Sequence, residues 1–481
     1  MKLSSMLLRL AALGLAASWP LYQTPAQATA AANPPNILLI LADDMGWSDL
    51  GCYGNHLIDT PHIDGLATQG MRFTDAYAMP VCTPTRVSIH SGKNPATLKI
   101  QHPNPHNRPY AKLLTPRQHW QLPLNEITIA EALAVRGYAS FHVGKWGSGH
   151  TRQEQGYMAI PTELPTGPYS AAVRAFEKAN PEKNMGMFVR QSVRFIEAHQ
   201  DQPFFCILSA VQVHTSLEAR ANLIEKYQRR FALNQTVIHP IYAAMVEVFD
   251  ESVGVMLNVI EQLGLADNTV VIVASDNGGV ENERGYVPGG WDGPVTHNWP
   301  LRNEKGSLYE GGIRVPFIVR WPKHITPGAL SHERIACYDL LPTFCDIAGA
   351  SYPPTSLDGV SFLPVLEGRG QLQREALYWH YPRYHHSTPS SAIIAGDYKL
   401  IYFYEDERKE LYNLNEDLGE RFDLSEQQPE TTATLKQKLF AWLASVDAAI
   451  PQPNPNFDER NQLIWGPRDP QTWTKSFALP Q

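Results

Sequence analysis

Long stretches of the chain are apolar without alternation. Residues 36–42, 138–143, 203–213, 269–274 and 316–319 are rich in Ile, Val and Leu. Unbroken runs of this length predict strands buried on both faces of a parallel sheet. Helical periodicity fills the intervals: residues 128–135 close at Gly137 and residues 242–263 close at Gly264, glycine being the usual residue just past a helix end. Alternating strands and helices predict an α/β fold with a large wound, mostly parallel sheet flanked by helices.

The pattern changes after Asp358-Gly359. A helical segment at 362–366 runs into Gly368-Arg369-Gly370, a polar linker. Short alternating segments then follow at 376–381, 391–395, 399–404 and 410–413, which predict an antiparallel sheet, with one helix at 432–445 and an extended Pro- and Asn-rich tail from 450. The expected division is a catalytic domain over 33–367 and a smaller antiparallel α+β domain over 374–481.

The N-terminal stretch has Lys2 and Arg9, an apolar core over 6–18 and the small-residue run Ala26-Gln27-Ala28, the layout of a secretory signal peptide spanning 1–28. Its apolar core is shorter than the roughly 20 residues a membrane span needs, and Trp19-Pro20 interrupts it. No cysteine stands at the cleavage site to take a lipid, so a periplasmic or secreted protein without a membrane anchor is expected. Removal of the leader takes the formal charge from -8 to -10, which argues against a nucleic-acid partner. The five cysteines, Cys52, Cys82, Cys206, Cys337 and Cys345, are too scattered for a disulfide framework.

Two of the predicted strands end in oxygen ligands. Residues 36–42 lead into Asp43-Asp44 and residues 269–274 into Asp276-Asn277-Gly278-Gly279, at the strand ends where wound sheets bind ligands. Either acidic pair alone reads as a turn or helix cap; two in the same placement suit a hard divalent cation, Ca²⁺ first and Mg²⁺ second, rather than zinc. The same rim receives Gly144-Lys145-Trp146, His214 and Lys305. Cations and a proton donor are what cleavage of an anionic ester requires as charge builds on the leaving oxygen. Cys82-Thr83-Pro84-Thr85-Arg86 reads either as a buried thiol before a proline turn or as a modification site.

Taken together, these motifs resemble those of the type I, formylglycine-dependent sulfatases of the alkaline phosphatase superfamily, of an arylsulfatase-like secreted bacterial type. The segments 36–54, 82–86, 144–146, the His214 region, 276–279, 305–316 and 410–424 fall in family order, and the resemblance runs from about 34 to 445. It implies that Cys82 is oxidised to formylglycine by a formylglycine-generating or anaerobic maturation enzyme. It further implies that Asp43, Asp44, Asp276, Asn277 and the modified Cys82 bind the cation, that Arg86 holds the hydrated aldehyde, and that Lys145, Lys305 and His214 bind sulfate, with His214 protonating the leaving alcohol. Two positions depart from the family pattern. Gly147 stands where Gly-Lys-Trp-His has histidine, and His90-Ser91-Gly92 stands where Leu-Thr-Gly is common. His150 is the nearest substitute in sequence for the missing histidine.

The esterified alcohol is not encoded in these motifs. The run Tyr378-Trp379-His380-Tyr381-Pro382-Arg383-Tyr384-His385-His386 reads either as a sugar-contacting surface or as a strand with its aromatics in an interface. His150, His297, His385 and His386 are candidate substrate contacts, and the polar insertions 102–108 and 286–298 are natural specificity loops. The expected activity is hydrolysis of a sulfated sugar or small molecule. The competing readings are a phosphatase or phosphodiesterase of the same superfamily, or a sulfated-glycan binder in which Cys82 stays a thiol.

Overall fold

Strand β1 (Asn36–Ala42) has no exposed residue, and its two faces build two separate cores. Ile37, Leu39 and Leu41 point into one layer with Leu341, Phe344 and Phe362; Leu38, Ile40 and Ala42 point into another with Val189, Val193, Met245 and Val246. A strand apolar at every position is what this double burial selects. The computed structural model describes residues 34–103, 111–234, 236–281, 294–353 and 356–459. The leader over 1–28, most of the insertions 102–108 and 286–298, and the tail beyond 459 lie outside the described residues.

Six further strands complete the large sheet: β2 (Met71–Phe73), β3 (Ala139–Gly144), β4 (Phe204–Ser209), β5 (Thr269–Ser275), β6 (Phe317–Arg320) and β7 (Ala329–Ser331). Their order is β3-β4-β1-β5-β6-β2-β7. The first four are parallel, with Leu39 opposite Ile207 on one side and Ile272 on the other, while β6 runs antiparallel to both β5 and β2. Helices α1 (Cys82–Ser91), α2 (Met185–Ala198), α3 (Pro240–Gln262) and α4 (Leu340–Ala348) cover the faces. The expected helix at 128–135 is a short one, Ile129–Ala134, started by a full capping box between Thr128 and Glu131.

The apolar run 203–213 is strand only as far as Ser209. Beyond it the backbone leaves the ladder and pairs with the turn after β1, through Asp43 N to Gln212 O and Val213 N to Asp43 O, both 2.7 Å. That exchange brings His214 beside the acidic pair.

The second sheet is a meander of β8 (Leu377–Tyr381), β9 (Ser390–Ala395), β10 (Tyr398–Phe403) and β11 (Lys409–Asn413). Helix α5 (Pro429–Ser445) packs Leu435, Leu439 and Leu443 on its outer face against Ile393, Leu400 and Leu411. The inner face, including Trp379, Ala392 and Ile401, joins the core of the large sheet. The described part of the tail returns to the body, where Gln452–Pro453 pairs antiparallel with Leu113–Leu114. No helix among the described residues is long and apolar enough to cross a membrane.

Candidate active site

The carboxyl ends of β1 and β5 lie side by side, because the two strands pair in register from Asn36 with Thr269 to Ala42 with Ser275. The residues that follow are therefore forced together. Asp43, Asp44, Asp276 and Asn277 are all buried. Asp44 takes a positive φ of 67°, a conformation aspartate tolerates better than most residues, and its backbone N–H donates to Asp276 Oδ1 at 3.2 Å.

Cys82 enters from α1, of which it is the first residue. Pro84 fits the opening turn of a helix, where its missing N–H would have no intrahelical partner. Thr85 ties the helix to the acidic loop by donating to Asp276 O at 2.6 Å and accepting from Met79 N at 2.9 Å. As a result the Cys82 thiol and single carboxylate oxygens of Asp43 and Asp276 all lie within 4.8 Å of one another. An oxygen of Asp43, an oxygen of Asp44 and a ring nitrogen of His214 form a second group of the same compactness.

Cations surround this cluster. Arg86 donates through Nη2 to Asp276 Oδ2 at 2.5 Å and through Nη1 to Lys145 O at 2.8 Å and to Ser209 Oγ. Lys145 Nζ is 2.6 Å from Asp43 Oδ2, Lys305 Nζ 2.7 Å from Asp44 Oδ2, and His214 Nε2 3.7 Å from the same Asp44 oxygen. Burial opposes ionisation of Asp44, yet Lys305 and His214 outweigh it and hold its carboxyl well below the usual range. Asp276 goes the other way: burial and then the Asp43 charge raise it, against the pull of Arg86 and Lys145. Burial also disfavours the charged ammonium of Lys145, but Asp43 restores it.

Three buried oxygens at the centre accept no hydrogen bond: Asp43 Oδ1, Asp43 Oδ2 and Asn277 Oδ1. Lys145 is close enough to Asp43 to pair with it electrostatically, but its angle gives no hydrogen bond. Buried polar atoms are rarely left this way, and carboxylate and amide oxygens of this kind suit a hard divalent cation.

Behind the Lys145 loop lies a layer that the sequence motifs do not reveal. Arg152 donates through Nε to His142 Nδ1 at 3.1 Å and through Nη2 to Gly144 O, fixing the backbone that presents Lys145. His90 packs on Trp146 with ring centroids 4.8 Å apart and meets Tyr157 OH at 2.8 Å. The departure at His90 is thus a buried contact of the lysine loop. Gly147 lies directly over α1: a Cβ there would sit 3.1 Å from Arg86 Cδ and 3.6 Å from Thr83 Oγ1.

A sequence model of the family described as Sulfatase matches residues 35–350, about two thirds of the chain. The chain belongs to the sulfatase family. This sulfatase also matches a model described as N-sulphoglucosamine sulphohydrolase, C-terminal, over residues 297–446. It is 32% identical to arylsulfatase A of Homo sapiens, covering 88% of this chain and 90% of that protein, and 28% identical to N-acetylgalactosamine-6-sulfatase of Canis lupus familiaris, covering 94% of each. Among solved structures it resembles Ps i-CgsB in complex with k-i-k-neocarrahexaose, with a TM-score of 0.70, 25% identity, and coverage of 93% and 98%. It is a sulfuric ester hydrolase of the formylglycine type, with the alkaline phosphatase-like fold.

The candidate substrate contacts of this sulfatase fall in different places. His386 Nδ1 lies 2.8 Å from Lys305 O, and His385 covers Gly306, where an added Cβ would lie 2.0 Å from its Nδ1. Both histidines therefore adjoin Lys305. His297 follows Thr296, which donates to Asp49, and precedes Asn298, which accepts from Gly279 N; its own carbonyl faces Ser48 Oγ at 3.5 Å. The His150 carbonyl accepts from Trp146 Nε1 at 2.5 Å, and its ring is a charge neighbour of Glu154. The aromatics of 378–381 resolve toward the interface reading: Trp379 donates to Ala78 O at 2.9 Å and packs edge-on against Tyr77, and Tyr378 stacks on Trp442. His380 is likewise buried, between Ser391 Oγ and Ala449 O.

Proposed function

We propose that this sulfatase hydrolyses sulfate monoesters of carbohydrates through Cys82 oxidised to formylglycine, with Ca²⁺, or Mg²⁺ in second place, held by Asp43, Asp44, Asp276 and Asn277. The observation that carries the reading is the convergence of Cys82 with Asp43 and Asp276 around oxygens that lack partners. When bound, the cation would polarise the sulfate group and acidify the nucleophilic hydroxyl that the modified residue 82 supplies.

The rest of the chemistry belongs to the chain's own groups. Arg86, fixed by Asp276, Ser209 and the Lys145 carbonyl, orients the nucleophile at the start of α1. Lys145, beside Asp43, and Lys305, beside Asp44, present ammonium groups to the non-bridging sulfate oxygens, where preorganised charge acts most strongly. His214 is only half-buried, with Nε2 toward Asp44, so it is placed to donate a proton to the departing alcohol at the open side. The net reaction converts ester and water to alcohol and inorganic sulfate.

The carbohydrate assignment draws support from the glycan-acting relative N-acetylgalactosamine-6-sulfatase and from the neocarrahexaose complex of Ps i-CgsB. His385 and His386 bring the small sheet to the Lys305 rim. Residues 33–367 would carry the catalytic groups and 374–481 part of the substrate wall, in a protein exported by its leader to the periplasm or beyond and matured there or on the way by a formylglycine-generating partner. A single all-oxygen cation site flanked by two lysines favours the singly charged sulfate over phosphate. Matured protein assayed on matched sugar sulfates and sugar phosphates should release sulfate at least about 100-fold faster. Faster phosphate release would move the assignment to the phosphatase branch.

A further inference from the structure

Arg383, in the segment after β8, is only 4% exposed. Its Nη2 donates to Pro116 O at 3.0 Å, but Nε and Nη1 are buried without a hydrogen-bond partner. Burial pushes the guanidinium below its usual pKa, and among the described residues no carboxylate pairs with it. A buried cation with open donors is strongly unfavourable unless an anion completes it.

Gln101, 1% exposed, is the second unsatisfied group, since neither atom of its side-chain amide has a partner. Its backbone N–H donates to Gln118 Oε1 at 3.2 Å, and Gln118 Nε2 donates to His102 O at 2.6 Å. These bonds lock 101–102 onto the 116–118 stretch, which Arg383 grips at Pro116. The segments that carry both groups lead to the Lys305 rim. The His102 ring is 5.5 Å from His385, His385 covers Gly306, and Gly306 N donates to Pro80 O at 2.6 Å, two residues before Cys82. Arg320 also has two open guanidinium nitrogens, but it pairs across from Val271 near the start of β5, at the opposite end of the sheet from Asp276.

We propose that Arg383 and the Gln101 amide form an oxyanion subsite beside the Lys305 rim, which reads a second anionic substituent on the sulfated sugar. Sulfate and carboxylate share the required chemistry: oxygens that accept from the guanidinium and from the amide N–H. The subsite acts on binding, because it holds a part of the substrate that does not react. The inference rests on the sulfatase reading of the Cys82 site.

The test uses matured, cation-loaded enzyme and four substrates: 4-nitrophenyl sulfate, a monosulfated galactoside, a disulfated galactoside, and a monosulfated disaccharide carrying a uronate. Wild-type enzyme should show a lower KM when the second anion is present. Arg383→Gln should raise the KM of the anion-bearing substrates about 10- to 100-fold with little change in kcat, and should shift the singly charged substrates far less. The larger shift, on the disulfated or on the uronate substrate, identifies the anion. Gln101→Glu, which sets a carboxylate against the guanidinium, should produce the same selective loss and serves if Arg383→Gln does not fold. Equal losses on all four substrates, or no preference in the wild type, would overturn the subsite. Absence of sulfate release from all four by matured wild-type enzyme would instead strike the sulfatase reading itself.

Discussion

Lys399 and Asp43 are both fully buried charges, yet their surroundings are organised differently. Lys399 Nζ sits 2.8 Å from Glu310 Oε1 and 2.8 Å from Glu420 Oε1. Glu310 receives Tyr77 OH at 2.9 Å and Arg314 Nη1 at 3.2 Å, and Glu420 Oε2 accepts from Glu310 N at 2.7 Å. One lysine is shared there by two carboxylates, and the cluster joins β10 of the small sheet to the turn that follows Lys305. Around Asp43 each carboxylate also has a cation, in Lys145, Lys305 or Arg86, but Asp43 and Asp276 in addition converge with the Cys82 thiol within 4.8 Å. The first cluster holds no thiol and fastens one sheet to the other; the second gathers a thiol, carboxylates and cations at the strand ends, where a reaction could be run.

Asp276→Ala should give the larger effect and the sharper contrast. Loss of one ligand, with Arg86 released, should cost about 10³-fold or more in kcat and most of the bound divalent cation, measured by elemental analysis beside steady-state assays. A variant with unchanged metal content and rate would dissolve the distinction between the two clusters.

Lys399→Met should do the reverse. It leaves Glu310 and Glu420 buried without their shared cation, and breaking such a pair typically costs about 3–5 kcal/mol, visible as a lowered denaturant midpoint. Protein that remains folded should still bind its cation in the wild-type ratio. Unchanged stability would mean that this cluster is not the fastening between the sheets.

Much of the fold, and the grouping of the candidate site residues, was legible because it is local in sequence. An apolar run such as 36–42 announces its double burial, and Asp43-Asp44, Asp276-Asn277 and Cys82-x-Pro84-x-Arg86 are contiguous motifs. What escaped is set by packing across long separations. Lys399 meets Glu310 from 89 residues away, and Arg383 is noticed only when its nitrogens are seen to lack partners. The aromatic run at 378–381 fits a sugar platform and an interface equally well as a sequence; burial of Trp379 against Tyr77 and Ala78 decides it. His90 looked like an incidental departure, and its contact with Trp146 depends on how the Lys145 loop folds back over α1.

The central claim is that residue 82 acts only after oxidation. The most direct measurement sets the fraction of Cys82 converted to formylglycine, read from the mass of the peptide containing residues 82–86, against specific activity across preparations of differing maturation. Sulfate release should rise in proportion to the converted fraction and vanish when Cys82 is wholly a thiol. Full turnover from an unmodified preparation would contradict the account.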